Sequence, residues 1–586
     1  MCGIAGVFHF QSKDLVDEQR LIAIRDVMKN RGPDDQGLWL SGSSKVGLAH
    51  RRLSIIDTTS AGHQPLSDKN GRFTVTFNGE IYNYLELRSG LEKKGYQFST
   101  QTDTEVLLYL YAEYGKDMLG HLRGMFAFAI WDEHDKKLFL ARDTFGIKPL
   151  YYSNIDGQFY FASQVKALLA DKLTGQSFDP AAQVGFFLWG SVPEPSTLYA
   201  DIKALEAGHY LEISSDSILK KKYCVVTQFI RKAESSTHAA QSSLREMLLD
   251  TVRSHFIADV PVGIFLSSGI DSSCLLALAR EAGIKKIKTI TLGFEEYRGT
   301  RYDEVPLAEV LAERYQTDHQ TIWLNQQDFH RELKNLLSSM DQPTIDGVNM
   351  YFVSLAAKKA GLKVALSGLG ADEIFAGYNT FKRIPAMLRY CRVLSFIPGL
   401  GRFLRYITAP WLNKSAGLIE YANDYQRAYL LNRALFMPWQ LKKVLVGSLI
   451  KLGLKQLNPL AQLKQSIANV STTKNKLTAL ELTNYTRNQL LRDADWAGMA
   501  HSVEVRVPYL DLPLFQYCLN HFPEKISKKE IFSALSTPLP NEVTSRKKTG
   551  FFVPIRAWLL GEKNANRAFD LKDWAKYVYR SFVSGA

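Results

Sequence analysis

A cysteine stands second in the chain, in Met1-Cys2-Gly3-Ile4. Removal of Met1 would leave its thiol beside a free α-amine, whose ordinary pKa of about 7.7–8.0 suits proton transfer near neutral pH. That is the arrangement of an N-terminal nucleophile. Position alone proves little, so the weight falls on Phe77-Asn78-Gly79-Glu80-Ile81, a polar loop ending a strand. Asn78 carries side-chain N–H donors and Gly79 a backbone N–H. Such a pair stabilises the oxyanion formed when a thiolate attacks an amide, one donor being worth about 2.7–4 kcal/mol. The plainer role for Asn78 is a capping residue in a turn.

A second constellation lies near the middle of the chain. Phe265-Leu266-Ser267-Ser268-Gly269-Ile270-Asp271-Ser272-Ser273 follows an apolar strand and opens a helix. Backbone N–H groups at such a junction cradle phosphate, helped by the helix dipole. Ser267, Ser268 and Ser272 add hydroxyls, Gly269 lets the backbone approach closely, and Asp271 is an acid placed to bind Mg²⁺ beside the phosphates. A second Gly-rich loop, Ser367-Gly368-Leu369-Gly370-Ala371-Asp372-Glu373, follows a later strand. Arg546-Lys547-Lys548-Thr549-Gly550-Phe551 sets cations before a Gly-Phe turn, where a lysine neutralises charge on a departing phosphate group. Its plainer reading is a solvated basic loop.

Taken together, these motifs resemble the glutamine-hydrolysing asparagine synthetase family, a class II glutamine amidotransferase joined to a PP-loop ATP pyrophosphatase-type synthetase. The resemblance covers most of the chain. It implies an N-terminal Ntn-hydrolase αββα sandwich and a C-terminal parallel-sheet PP-loop α/β domain with added helices. It also implies that Cys2 releases ammonia from glutamine and that a carboxylate, activated by ATP with Mg²⁺, accepts it. In the family the residues matching Arg52, Asn78, Gly79, Glu80 and Asp103 form the glutamine site. The chemistry agrees: Arg52 can grip the carboxylate of glutamine with two donors, while Glu80 and Asp103 hold its ammonium. Asp103 is equally a candidate helix cap. The ATP site implied is Leu266, Ser267, Ser268, Gly269, Asp271, Ser272, Leu292, Ser367 and Gly368, with Asp271 and Asp372 as metal ligands and Lys548 as the catalytic lysine. Asp303-Glu304 is placed to supply a further acid beyond Leu292-Gly293-Phe294.

Three positions depart from the family pattern. Arg51 replaces the usual Glu, which leaves Arg51 and Arg52 both as candidates for the carboxylate grip. Ser268 stands where Gly is frequent. Leu369 stands where asparagine synthetases carry Glu, and leucine neither orients an amino acid nor handles a proton. Ser-Gly-Leu-Gly is similar to amidotransferases that act on uronic-acid sugars of surface polysaccharide. The acceptor therefore stays open between L-aspartate, giving asparagine, and another carboxylate such as a sugar acid.

The elements that must position these residues are legible in outline. Arg72–Asn78 alternates apolar and polar as a half-buried strand does, Met125–Trp131 and Leu138–Arg142 form a strand pair, and Thr104–Tyr114 is spaced as a helix. Beyond a polar, basic stretch, strands Val260–Leu266, Lys286–Phe294 and Val364–Leu366 alternate with helices, which predicts a parallel sheet. We expect a glutaminase domain over 1–212, a linker over 213–235 and a synthetase-like domain over 236–586, with 383–476 a helical packing region.

The 586 residues carry 72 Lys and Arg against 59 Asp and Glu, a formal charge of +13. A basic surface attracts anions generally, including phosphorylated substrates. No basic tail or appended RNA-binding motif is present, which argues against a nucleic-acid-modifying PP-loop protein; that alternative also leaves Cys2 unexplained. Retained Cys2, Asp271, Asp372 and Lys548 argue against a non-catalytic interaction protein. The five cysteines form no Cys-x-x-Cys pair, and no apolar run reaches the length of a membrane helix. A cytoplasmic enzyme with no membrane span and no nucleic-acid partner is the expectation, with a homodimer as its candidate assembly.

Overall fold

The computed structural model describes residues 2–170, 174–230, 239–395, 397–521, 527–546, 553–560 and 570–584. Its N-terminal half is built on two facing six-stranded sheets. One runs in the order Lys203–Ala204, Tyr151–Ile155, Gln158–Ala162, Gly3–His9, Val46–Arg52 and Asp35–Leu40. The other runs Ile218–Lys222, His209–Ile213, Lys137–Arg142, Gly124–Asp132, Phe73–Ile81 and Leu66–Ser67. Ile4, Phe8, Leu48, Trp131, Leu138 and Phe161 meet between them. Helix Glu18–Asp26 covers the first sheet and helix Thr104–Tyr114 the second, completing four layers.

Strand Phe73–Ile81 is buried on both faces rather than one. Phe73, Val75 and Phe77 pack with Val106, Leu107 and Leu110 of the covering helix. The alternate threonines face the other sheet, and the Thr76 hydroxyl donates to the Ala49 carbonyl there at 3.2 Å. The polar half of the alternation is thus spent on a sheet-to-sheet hydrogen bond. The stretch expected as linker begins as structure: Ile218–Lys222 pairs antiparallel with His209–Ile213, a basic edge strand of the kind that discourages further pairing.

The C-terminal half centres on a five-stranded, all-parallel sheet ordered Asp318–Leu324, Lys288–Phe294, Val262–Phe265, Val364–Leu366, Glu504–Arg506. Chain order reverses between Val262–Phe265 and Val364–Leu366. Ligands of such sheets bind beyond the carboxyl ends of the strands at that reversal, and both Ser/Gly loops emerge there. The described residues of 383–476 are mostly helical, as expected. An 11-residue π-helical stretch, Glu481–Leu491, precedes helix Arg492–Ala500. Among the described residues no helix is long and apolar enough to cross a membrane.

Candidate functional site

Strand Gly3–His9 starts in the middle of its sheet, so Cys2 enters the fold at a fixed point facing the end of strand Phe73–Ile81. The Cys2 backbone N–H donates to Asn78 Oδ1 at 3.1 Å. That contact orients the Asn78 amide and leaves its buried Nδ2 without a partner among the described residues. A buried, unspent donor is costly unless something else accepts from it. Around Cys2 a cleft is lined by Arg52, Gly79, Glu80 and Asp103, with Leu53, Gln64 and Phe77. Its free volume is about 20 Å³, so an amino-acid-sized ligand would have to widen it to enter. Burial pushes the Cys2 thiol up, only partly offset by the Leu53 backbone hydrogen bond and Arg52, so a base is needed to make the thiolate.

The two adjacent arginines are separated by the geometry. Arg51 turns to Asp26, with an N–O distance of 2.6 Å. Arg52 lines the cleft, its guanidinium held by the carbonyls of Ile56, Asp57 and Thr59. A Cβ on Gly62 would lie 1.8 Å from Arg52 Nη2, so glycine is what lets the guanidinium sit there. Asp103 does not cap its helix; its Oδ2 accepts from the Ile81 N–H at 2.9 Å. Burial pushes its carboxyl up to about 7, Ile81 and Arg506 opposing and Glu504 adding to it.

The cleft is braced by the other half of the chain. Arg31, 1% exposed, donates to the Cys2 carbonyl at 3.0 Å and makes a two-pronged pair with Asp495 at 2.7 and 3.1 Å. Arg506, fully buried, bonds Glu504 at 2.6 Å and reaches Glu80 of the cleft at 3.3 Å. Its own carbonyl accepts from the Ser367 N–H at 2.8 Å. One residue therefore touches both the cleft and the second Ser/Gly loop.

At the sheet reversal a cavity of about 240 Å³ is lined by Leu266, Ser267, Gly269, Asp271, Ser272, Leu292, Ser367, Gly368 and Asp372. Helix Ile270–Glu281 points its N-terminus there, favouring an anion. Ser272 stitches the loop, its hydroxyl donating to the Ser267 and Gly269 carbonyls at 3.0 and 3.2 Å. Ser268 does not line the cavity; its hydroxyl meets the Arg546 guanidinium. Arg546 thereby ties the C-terminal basic segment to the phosphate loop, while Lys548 lies outside the described residues. Of the Asp303-Glu304 pair, Asp303 caps its turn by accepting from Val305 N–H at 3.1 Å, and Glu304 lines the cavity.

Asp271 and Asp372 face one point, where the Lys528 ammonium sits 2.5 Å from one and 2.6 Å from the other. Two carboxylates converging on a cation are the oxygen donor set Mg²⁺ takes, with nucleotide phosphates completing it. The motif reading did not single out Lys528 or Glu373. Glu373, next to Asp372 in sequence, also lines the cavity, and burial followed by Asp372 pushes it up to about 7. Its adjacency was a usable signal; Lys528, 257 residues from Asp271, offered none.

A larger cavity of about 560 Å³ adjoins this one, sharing Asn349. Trp189, Tyr429 and Tyr485 supply rings, the π-helical stretch presents Asn484, Asn488 and Gln489, and Arg433 and Lys414 supply charge. Arg433 stacks between Tyr378 and Tyr485, its carbon centre 4.7 and 4.0 Å from the two rings, and pairs with Glu481. Tyr378 belongs to the smaller cavity's wall, so the stack stands on the partition between the two.

Comparison with known proteins adds a family-level finding. Residues 1–224 match the glutamine amidotransferase domain family and residues 243–584 the asparagine synthase family. Glutamine-hydrolysing asparagine synthetase 1 of Bacillus subtilis (strain 168) is 36% identical, over all of this chain and 92% of its own. Asparagine synthetase 3 of the same organism is 29% identical, over 94% and 87%. The solved B. subtilis glutamine phosphoribosylpyrophosphate amidotransferase, complexed with ADP and GMP, is similar at 15% identity and TM-score 0.31, covering 57% of this chain and 93% of that one.

Proposed function

Because the chain belongs to the glutamine-hydrolysing asparagine synthetase family, we propose that it hydrolyses glutamine at Cys2 and delivers the ammonia to a carboxylate activated by ATP. The observation carrying the first half is Asn78, which fixes the nucleophile's backbone with its Oδ1 and keeps a buried Nδ2 donor unspent. That donor and Gly79 would meet the oxyanion of the tetrahedral intermediate. The α-amine freed by loss of Met1 would take the thiol proton. Arg52 would bind the glutamine carboxylate, and Glu80 with Asp103 its ammonium.

In the second half the Ser/Gly loops and the helix N-terminus would bind the triphosphate, with Leu292 toward the base. Asp271 and Asp372 would hold Mg²⁺, which when bound offsets phosphate charge. The acceptor carboxylate would attack the α-phosphate, pyrophosphate would leave with its charge offset by a lysine, a role the motif gives to Lys548, and ammonia would displace AMP to give the amide. ATP is required because a free carboxylate is a poor acyl donor to an amine.

L-Aspartate is the acceptor that family membership puts first. A specific observation favours a second reading. Leu369 lines the smaller cavity where an acid would orient an amino acid. The adjoining 560 Å³ space, with its rings and amides, suits a bulkier carboxylate such as a sugar acid. The test uses glutamine labelled with heavy nitrogen in its amide, with ATP, Mg²⁺ and L-aspartate. Labelled asparagine with AMP and pyrophosphate establishes the first reading; a labelled amide with AMP and pyrophosphate formed only when a sugar acid replaces aspartate establishes the second. Cys2→Ala is expected to abolish synthesis from glutamine and keep synthesis from added ammonium. Loss of both would refute the two-site reading.

A further inference from the structure

Asp271 and Asp372 sit in the first turns of helices Ile270–Glu281 and Ala371–Ile374, which follow strands Val262–Phe265 and Val364–Leu366, and converge on one ammonium. Lys528 Nζ lies 2.5 Å from Asp271 Oδ2 and 2.6 Å from Asp372 Oδ1. Its side chain is 15% exposed, and the two carboxylates are 21% and 15% exposed. Without a cation between them the two acids would repel at close range in a partly desolvated site.

The surroundings are built around this triad. A Cβ on Gly377 would fall 1.9 Å from Asp372 Oδ1 and 2.6 Å from the Lys528 Cε, so a larger residue there would force one of the two to shift. Helix Lys528–Ser533 is pinned at its start, Ser527 donating to Glu530 from its backbone N–H at 2.7 Å and from its hydroxyl at 2.6 Å. The backbone of Lys528 is thus fixed, while its flexible four-carbon stem leaves the ammonium free to relocate.

We propose that Lys528 is a built-in counter-ion that occupies the divalent-cation position between Asp271 and Asp372 and yields it when metal loads. This rests on the reading of those two acids as metal ligands. Lys528 is a positioning residue: it holds the carboxylates apart and aimed in the resting site. Displaced, its positive charge stays at the cavity, where an incoming triphosphate offers new acceptors. Metal and lysine compete for the same oxygens, so the lysine weakens binding of metal alone and reserves tight loading for the metal–nucleotide pair.

The test titrates Mn²⁺ alone, without nucleotide, into the full-length protein and follows free Mn²⁺ by electron paramagnetic resonance. Lys528→Met is expected to bind Mn²⁺ at least tenfold more tightly than the unsubstituted protein, and Lys528→Arg to stay near it. Equal or weaker binding by Lys528→Met overturns competition while leaving the metal site standing. Absence of binding in every variant overturns the metal assignment as well. A measurement on the unsubstituted protein covers the case that Lys528→Met does not fold. Acetylation of the Lys528 amine by acetic anhydride, read by peptide mass spectrometry, is expected to rise on adding Mn²⁺; unchanged or reduced labelling overturns the proposal.

Discussion

Asp103 shows how one buried residue carries opposed demands. Burial raises its carboxyl to about 7, against an ordinary value of 3.8. The folded protein therefore binds a proton there that the unfolded chain has released, across the window from about 4 to 7. In that window this group's contribution to stability falls as pH rises. Binding of the glutamine ammonium asks for the reverse, a charged Asp103. The KM for glutamine is thus expected to fall as pH rises from 6 to 8, with Asp103→Asn giving a higher KM that no longer changes over that range. Steady-state glutaminase assays check this, and a pH-dependent KM persisting in Asp103→Asn would reassign the titration to another group. Both acids predicted to hold the ammonium came from motif and chemistry. Their raised proton affinity did not, because it comes first from burial in the folded chain and then from Glu504, about 400 residues away in sequence, with Arg506 opposing.

At the scale of elements, strand Glu504–Arg506 does more than close the parallel sheet. Arg506 lies between Glu504 and Glu80, and donates to the carbonyls of His255 and Ile257 at 2.8 and 2.7 Å. Removing one partner of a buried pair typically costs about 3–5 kcal/mol, because the remaining charges are stranded. Arg506→Met should lower the first thermal unfolding transition and raise the KM for glutamine together. A change in stability with an unaltered KM would mean that Glu80 does not need this support. The strands and helices themselves were largely readable. Thr104–Tyr114 and Val364–Leu366 have the predicted bounds, since apolar spacing is a local property. The helix opened by the first Ser/Gly motif starts at Ile270, inside the serine-rich stretch itself. The serines there looked like loop, but they bond back to carbonyls of that loop and leave the first turn free to form. Strand Glu504–Arg506 has no local signature, being three residues long and specified by its neighbours.

For the whole molecule, the motifs of each half are legible in the sequence but not how the halves lean on each other. Arg31 with Asp495, 464 positions apart, and Arg506 with Glu80 are contacts that no local pattern records. They have a consequence for dissection of the chain. Two matched family regions invite the view that each half is a portable module, and the sheets of the first half do enclose their own core. Yet the floor beneath Cys2 is finished by residues of the second half. A fragment ending at residue 224 would expose Arg31 without its acid and Glu80 without its arginine. It is expected to fold, by circular dichroism, but to hydrolyse glutamine at least tenfold more slowly than the full chain. A fragment with full activity would make the braces ornamental. The halves are then partners in one construction, and exchanging either for that of a relative would require carrying the matching brace residues across the seam.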